Sequence, residues 1–400
     1  MYGGRRIKVT APHHNGMHPA RDTITFMFRQ RGRLAGGAGR RAASSCKEYM
    51  NLKKFVAPAV CLLVLCVVGN VQGRQKESNG LFPVSRKGKG GFINGTGKVV
   101  IPLRFDGVGK FSEGLAPVQI NDKWGFIDES GKVVIEPQFS DAYEFSEGLA
   151  RVQVGGDKYG RNGEWGFIDK SGNVVIEPEY DELTGVDETS QGFHDGLAMI
   201  EVEYNKGFID KTGKVVIEPR FQYAYHFTGG LAGVKEGLDD KWGYIDKSGQ
   251  WAIPPQFDWA CLFSDGLASV DINDVCGYIN KAGNLVLQPQ FNMGDCSVIH
   301  GHFSEGLSRW KINEKFGFID KSGGIVIEPR FDLAEDFSEG LAAVGVNGKW
   351  GFINRSGDSV VRPQFTNVRS FSGGLARVVT DEGVGYIDKK GKYVWKPTQQ

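Results

Sequence analysis

Cysteine is scarce and poorly placed for a disulfide framework. Of six in 400 residues, only Cys261, Cys276 and Cys296 lie beyond residue 73. Three thiols in one region cannot staple so long a chain, so packing must hold it together. A Cys261–Cys276 bridge and a buried thiol are both open readings. No Ser-His-Asp order, nucleophile elbow, phosphate-cradling glycine loop or paired zinc motif occurs, so no reaction and no cofactor can be read from the chain. A basic surplus is also missing from most of it. Residues 1–54 hold 12 Lys/Arg against Asp22 and Glu48, which leaves 36 bases against 45 acids in the remainder. A body about nine charges negative lacks the basic stripe of a nucleic-acid-binding protein.

Long apolar runs are lacking too. Phe55–Val68 gives fourteen residues, short of the roughly 17–25 of a membrane span. With Lys53 and Lys54 before it and Val71-Gln72-Gly73 after it, residues 50–73 read as a secretory signal cleaved after Gly73. A retained membrane anchor is the alternative. Residues 1–49 are Arg-rich and without hydrophobic periodicity, as a disordered extension or an over-long start would be. Residues 74–79 form a linker.

What the chain has in excess is glycine, 57 of 400 residues, about double ordinary usage. The excess follows a repeat. Gly-(Phe/Tyr)-Ile-(Asp/Asn) begins at Gly91, Gly125, Gly166, Gly207, Gly243, Gly277, Gly317, Gly351 and Gly385, with spacings of 34, 41, 41, 36, 34, 40, 34 and 34 residues. A fixed period of this length marks an array whose units bury their apolar faces on one another. Framed at Gly-Leu, nine units begin at Gly80, Gly114, Gly148, Gly196, Gly230, Gly266, Gly306, Gly340 and Gly374 and fill residues 80–397, with a tail at 398–400.

Each unit reads as three strands, such as "GLARVQV", "WGFID" and "KVVIEPQF", rich in Val, Ile and aromatics and bounded by turn residues. In "IDESGKV", Asp128 caps a tight hairpin and Gly131 supplies a positive φ. The Pro of "EPQF", as in Pro137, is expected to end the third strand. Along the middle strand Trp124, Phe126 and Asp128 face one way and Gly125 and Ile127 the other, so both sheet faces need covering. The fold class is all-β: nine tandem three-stranded meanders stacked as an open superhelical array. A closed β-propeller is the alternative. The open stack is preferred because nine exceeds the usual four to eight blades and no offset terminal strand latches a ring.

Three insertions break the period. Gly155–Glu164 and Asp181–Gly192 lie in or beside the third unit; a shared binding edge is one reading, and neutral length variation is the preferred one. The third, residues 292–303, gathers Asp295, Cys296, His300 and His302, residue types that suit zinc or copper. Without a second matching set, an ordinary polar loop is the preferred reading. The repeated Asp is a turn cap and not an acid catalyst, because Asn94, Asn280 and Asn354 replace it.

With "KWGFIDESGKVVIEPQF", the recurring "FSEGLA" and the 34-residue period, the chain resembles the WG-repeat proteins of bacteria. The namesake pair is kept at Trp124, Trp165, Trp242 and Trp350, and the Trp is replaced by Gly90, Lys206, Cys276, Phe316 and Val384 in the other units. The resemblance implies an exported or envelope-associated β-repeat protein with a binding role, and supplies no catalytic residue. The expected function is therefore an exported, non-enzymatic scaffold for a protein or cell-envelope polysaccharide. It would meet a membrane only if residues 50–73 are retained. The alternative is an envelope metal-dependent enzyme, or a metal-binding protein, using the 295–302 loop.

Overall fold

The computed structural model describes residues 80–156, 163–180, 191–273, 275–287 and 302–398. The chain divides into two compact units, Met1–Leu63 and Val64–Gln400, and every described residue belongs to the second. Segments 1–49, 50–73 and 74–79 lie outside the described residues.

Each repeat forms the expected meander. In the second unit Leu115–Ile120, Lys123–Asp128 and Val133–Phe139 pair antiparallel in sequence order. Asn121 and Asp122 turn the first hairpin with φ of 50° and 62°, the mirror-image turn whose twist suits the flanking strands. Two details differ from expectation. A fourth strand of two residues, Gly107–Val108, precedes the meander and pairs with Val118 and Gln119. Among the described residues seven of the nine sheets have it. Pro137 does not end the third strand, which runs on to Phe139 through a bulge: Trp124 faces Phe139 while Phe126 faces Ile135. The strand lies at the sheet edge, where a residue without an N–H is tolerated.

The core sits between sheets. Leu115, Phe126, Ile135 and Phe139 of the second unit pack on Ala142 and Phe145 of the link that follows and on Ala150 and Ile168 of the third unit. Phe126 meets Phe145 edge-on at a centroid distance of 5.0 Å, a geometry favoured by the ring quadrupoles. Nine units in an open stack would share eight such junctions, yet there are nine. The ninth joins Phe82, Val84 and Ile93 of the first unit to Leu375 and Tyr386 of the last. The preferred open superhelical array is thus corrected to its alternative, a closed ring of nine sheets, a β-propeller.

Among the described residues no strand is exchanged across the closure. The first unit has no Phe ahead of its Gly-Leu; instead Phe82 stands where other units have Ala116, Ala150 or Ala342. Its ring meets Tyr386 at 5.7 Å, so a large residue from the strand fills the space that a loop Phe fills elsewhere. Arg86 covers Trp395 at 4.9 Å across the same seam.

Strand direction sorts the loops onto two faces. The "FSEG" turns and the Asp-x-Ser-Gly hairpins fall at one end of the strands. The first hairpins and the links between units fall at the other. The first of these, the clamp face, repeats one contact at several junctions. Glu113 accepts from the Gly148 N–H at 3.1 Å and pairs with Lys170 at 3.0 Å. Glu147 with Gly196 and Lys211, and Glu339 with Gly374 and Lys389, repeat the arrangement. Ser112 adds a hydrogen bond to the Phe145 carbonyl at 2.6 Å.

Candidate functional site

The Trp of the WG motif is buried or half-buried at each of its four positions. Trp165 and Trp242 are 3% and 4% exposed; Trp124 and Trp350 are half-buried. Trp242 stacks on Tyr225 at 5.2 Å and 21°, and Trp165 lies 5.4 Å from Tyr143. The Gly beside the Trp serves the bulge and not a turn. A Cβ on Gly125 would lie 2.5 Å from the Ile135 carbonyl oxygen and 2.7 Å from the Pro137 nitrogen. Phe126 is fully buried. Asp128 accepts from the backbone N–H groups of Ser130 and Lys132 at 2.9 and 3.0 Å and from the Ser130 hydroxyl at 2.6 Å. Gly131 has φ of 84°. The hydroxyl and N–H donors outweigh desolvation and hold the Asp128 carboxyl below the usual range, as for a turn cap.

Of the metal-ligand candidates, Cys296 and His300 lie outside the described residues. His302 is described, and its backbone N–H donates to Asp336 at 3.3 Å. Among the described residues no group of three or more His, Cys, Asp or Glu side chains is arranged to hold a metal ion. Cys276 is disulfide-bonded, but not to Cys261, which keeps its thiol.

Units seven and eight carry a buried polar cluster that the repeat pattern does not signal. The Arg309 guanidinium donates to the Ala334 carbonyl at 2.8 Å, with Glu335 at 3.4 Å and Asp336 at 3.6 Å. Burial pushes the Glu335 carboxyl up to about 7 against the pull of Arg309. Burial acts the same way on Asp336, but Arg309 and the His302 hydrogen bonds win and hold it low. His226 of the fifth unit stacks on His194 at 4.1 Å. Burial, then the charges of His194 and His302, take it down to about 3. Position by position, Arg309 recurs as Arg151 and Arg377, while Glu335 and Asp336 stand where other units have varied residues such as Tyr143 and Glu144.

The second face, the loop face, holds the variation. The first insertion leaves a strand that ends at Gly155 and the second follows a strand that ends at Tyr180, both at that end; residues 157–162, 181–190 and 288–301, the last covering nearly all of the third insertion, are outside the described residues. The large exposed hydrophobics divide cleanly. Ten of sixteen, such as Val134 and Val175, lie on the outer third strands. The other six are Val154, Val202, Tyr204, Tyr223, Leu238 and Leu333, all at loop-face ends of strands or in loop-face turns. Five of these six belong to units three to five, with Tyr204 79% and Leu238 66% exposed. Among the described residues none of these six is on the clamp face.

The family model described as WG containing repeat matches residues 91–124, 124–159, 165–205, 207–241, 242–276, 277–316, 316–350 and 350–382. The chain belongs to the WG-containing-repeat family. No curated protein matches this WG-repeat chain in sequence. In structure it is similar to a eukaryotic initiation factor at a TM-score of 0.54 and 11% identity, over 79% of this chain and 95% of the other. BamB from Moraxella catarrhalis gives 0.39 and 10% over 77% and 93%. Hsv2 from Kluyveromyces lactis gives 0.35 and 10% over 48% and 71%. The first of these likenesses bears on fold alone.

Proposed function

We propose that this WG-repeat ring is an exported, non-enzymatic scaffold that binds a protein or cell-envelope polysaccharide through the loop face of units three to five. One observation carries the reading: among the described residues, the exposed apolar side chains that are not on the outer third strands gather on the face from which the first two insertions leave. Apolar groups exposed together beside variable loops mark an interaction surface. Repeated β-propellers suit such work because a rigid ring holds its loops in fixed relation. Export is supported by the signal-like segment 50–73 and by the disulfide on Cys276, a bond that persists in oxidising compartments. The metal-enzyme alternative rests on Cys296, His300 and His302, and of these His302 is already engaged with Asp336.

Binding of envelope extract and of purified peptidoglycan, measured on the wild type and on Tyr204→Ser/Leu238→Ser, tests this reading. Loss in the variant, with Lys170→Ser on the clamp face unaffected, supports it. Equal capture by both variants contradicts it. Stoichiometric zinc or copper that disappears in His300→Ala would favour the enzyme instead.

A further inference from the structure

Two Asn-Gly pairs lie among the described residues, Asn94-Gly95 in the capped hairpin of the first unit and Asn347-Gly348 in the first turn of the eighth. Only the first is primed for chemistry. The Asn94 side-chain oxygen accepts from the Thr96 N–H at 3.0 Å, the Thr96 hydroxyl at 2.7 Å and the Lys98 N–H at 3.0 Å. Three donors draw electrons from the amide carbon and steady the negative oxygen that forms when a nucleophile adds to it. Asn347 differs: its backbone N–H donates to Asp332 at 2.7 Å, and no donor reaches its side-chain oxygen among the described residues.

The next residue supplies the nucleophile. Gly95 is exposed, a Cβ there would meet nothing within 4 Å, and its N–H donates to nothing among the described residues. The other two Asn caps, Asn280 and Asn354, are followed by Lys281 and Arg355, whose long side chains cross their junctions to the Gly229 and Glu305 carbonyls. Glycine in place of that cation both unclamps the seam and uncovers the nitrogen. The same hairpin sits on the seam. Ile93, next to Asn94, shares a core with Phe82 and Tyr386, and a Cβ on Gly97 would strike the Val394 carbonyl of the last unit.

We propose that Asn94 is a self-modification site, deamidating to aspartate and isoaspartate, and that the second product loosens the ring seam. The Gly95 nitrogen gives its proton to a solvent base, adds to the Asn94 amide carbon and closes a cyclic succinimide as ammonia leaves. Water then breaks one of the two bonds to that nitrogen: the new one, leaving aspartate, or the original peptide bond, leaving isoaspartate with the chain rerouted through the side chain. The net exchange is water in and ammonia out. Aspartate fits the turn, as Asp128 and Asp210 do in their own units. Isoaspartate adds a backbone carbon to a hairpin already in close contact with the last unit.

The full chain is aged at mildly acid and mildly alkaline pH and digested, and peptide masses with isoaspartate-specific methyl labelling follow each Asn-Gly pair. Conversion of Asn94 ahead of Asn347, faster in alkali, is expected, and amide exchange should rise in units one and nine of the aged protein. Thr96→Val removes one donor from the amide oxygen and should slow conversion by about tenfold, the worth of one hydrogen bond in the transition state. Gly95→Lys restores the shield and should slow it at least as much. Asn94→Asp, aged alongside, should exchange as the fresh protein does. Asn347 converting first, a rate indifferent to Thr96→Val, or an aged seam as tight as the fresh one overturns the proposal.

Discussion

The Tyr386 hydroxyl of the ninth unit donates a 2.9 Å hydrogen bond to the Pro83 carbonyl of the first, 303 residues away in sequence. Burial pushes that phenol up to about 12, so it remains a donor at any physiological pH. The seam it spans lacks both halves of the clamp, whereas the junction at Gly229, which also lacks the carboxylate, keeps the cation, Lys281 donating to the Gly229 carbonyl at 2.7 Å. Gly373 stands where Glu339 and Glu305 supply a carboxylate, and Gly95 stands where Lys170 and Lys389 supply a cation. We therefore expect the ring to open there first. In native-state hydrogen exchange, Phe82→Ala should accelerate exchange in units one and nine ahead of unit five, with a cost of about 3–5 kcal/mol. Uniform acceleration around the ring would contradict this.

Gly125 and Gly114 should respond differently to alanine. Gly125→Ala drives a Cβ into the bulged third strand and should cost about 1–3 kcal/mol or more, as overpacking does. Gly114 has φ of 89° with nothing within 4 Å of a Cβ, so Gly114→Ala carries only the left-handed penalty of about 1–2 kcal/mol. Urea denaturation of both variants measures the order.

Asp128→Asn should cost little, since Asn94, Asn280 and Asn354 make the same turn contacts in their own units. Phe126→Ala should cost about 3–5 kcal/mol. Equal and severe loss from the two, in thermal melts, would contradict the turn-cap assignment.

Acid should weaken the ring partly through His226. Its folded value of about 3 lies below the ordinary 6.5, so the unfolded chain takes up a proton that the folded one refuses. The stability at stake is fully present above 6.5 and lost as pH falls toward 3. His226→Leu, which copies Leu262 at the same repeat position, should flatten the slope of stability between pH 7 and 5. An unchanged slope would show that the histidine titrates freely.

The repeat was legible because each unit states its whole pattern locally: strand, turn glycine, strand, Asp-capped hairpin, strand. The two-residue strands such as Asp141–Ala142 and Tyr223–Ala224 were not, because two residues show no alternation. Closure depends on the small rotation between neighbouring sheets summed nine times, which no one unit encodes. Its trace in sequence was Phe82 at an alanine position, and it becomes readable only once Tyr386 is seen against it. The loop-face patch was half legible. Its insertions stood out by length, while Tyr204 and Leu238 gained meaning from the strand direction that puts them on the same side.

The most direct test of the account is small-angle scattering from residues 80–400. A closed ring predicts a radius of gyration near 20 Å, about that of a compact body of some 320 residues, with a single-peaked distance distribution. A much larger radius with a long, extended tail would show an open stack, and would contradict the seam and the two faces together.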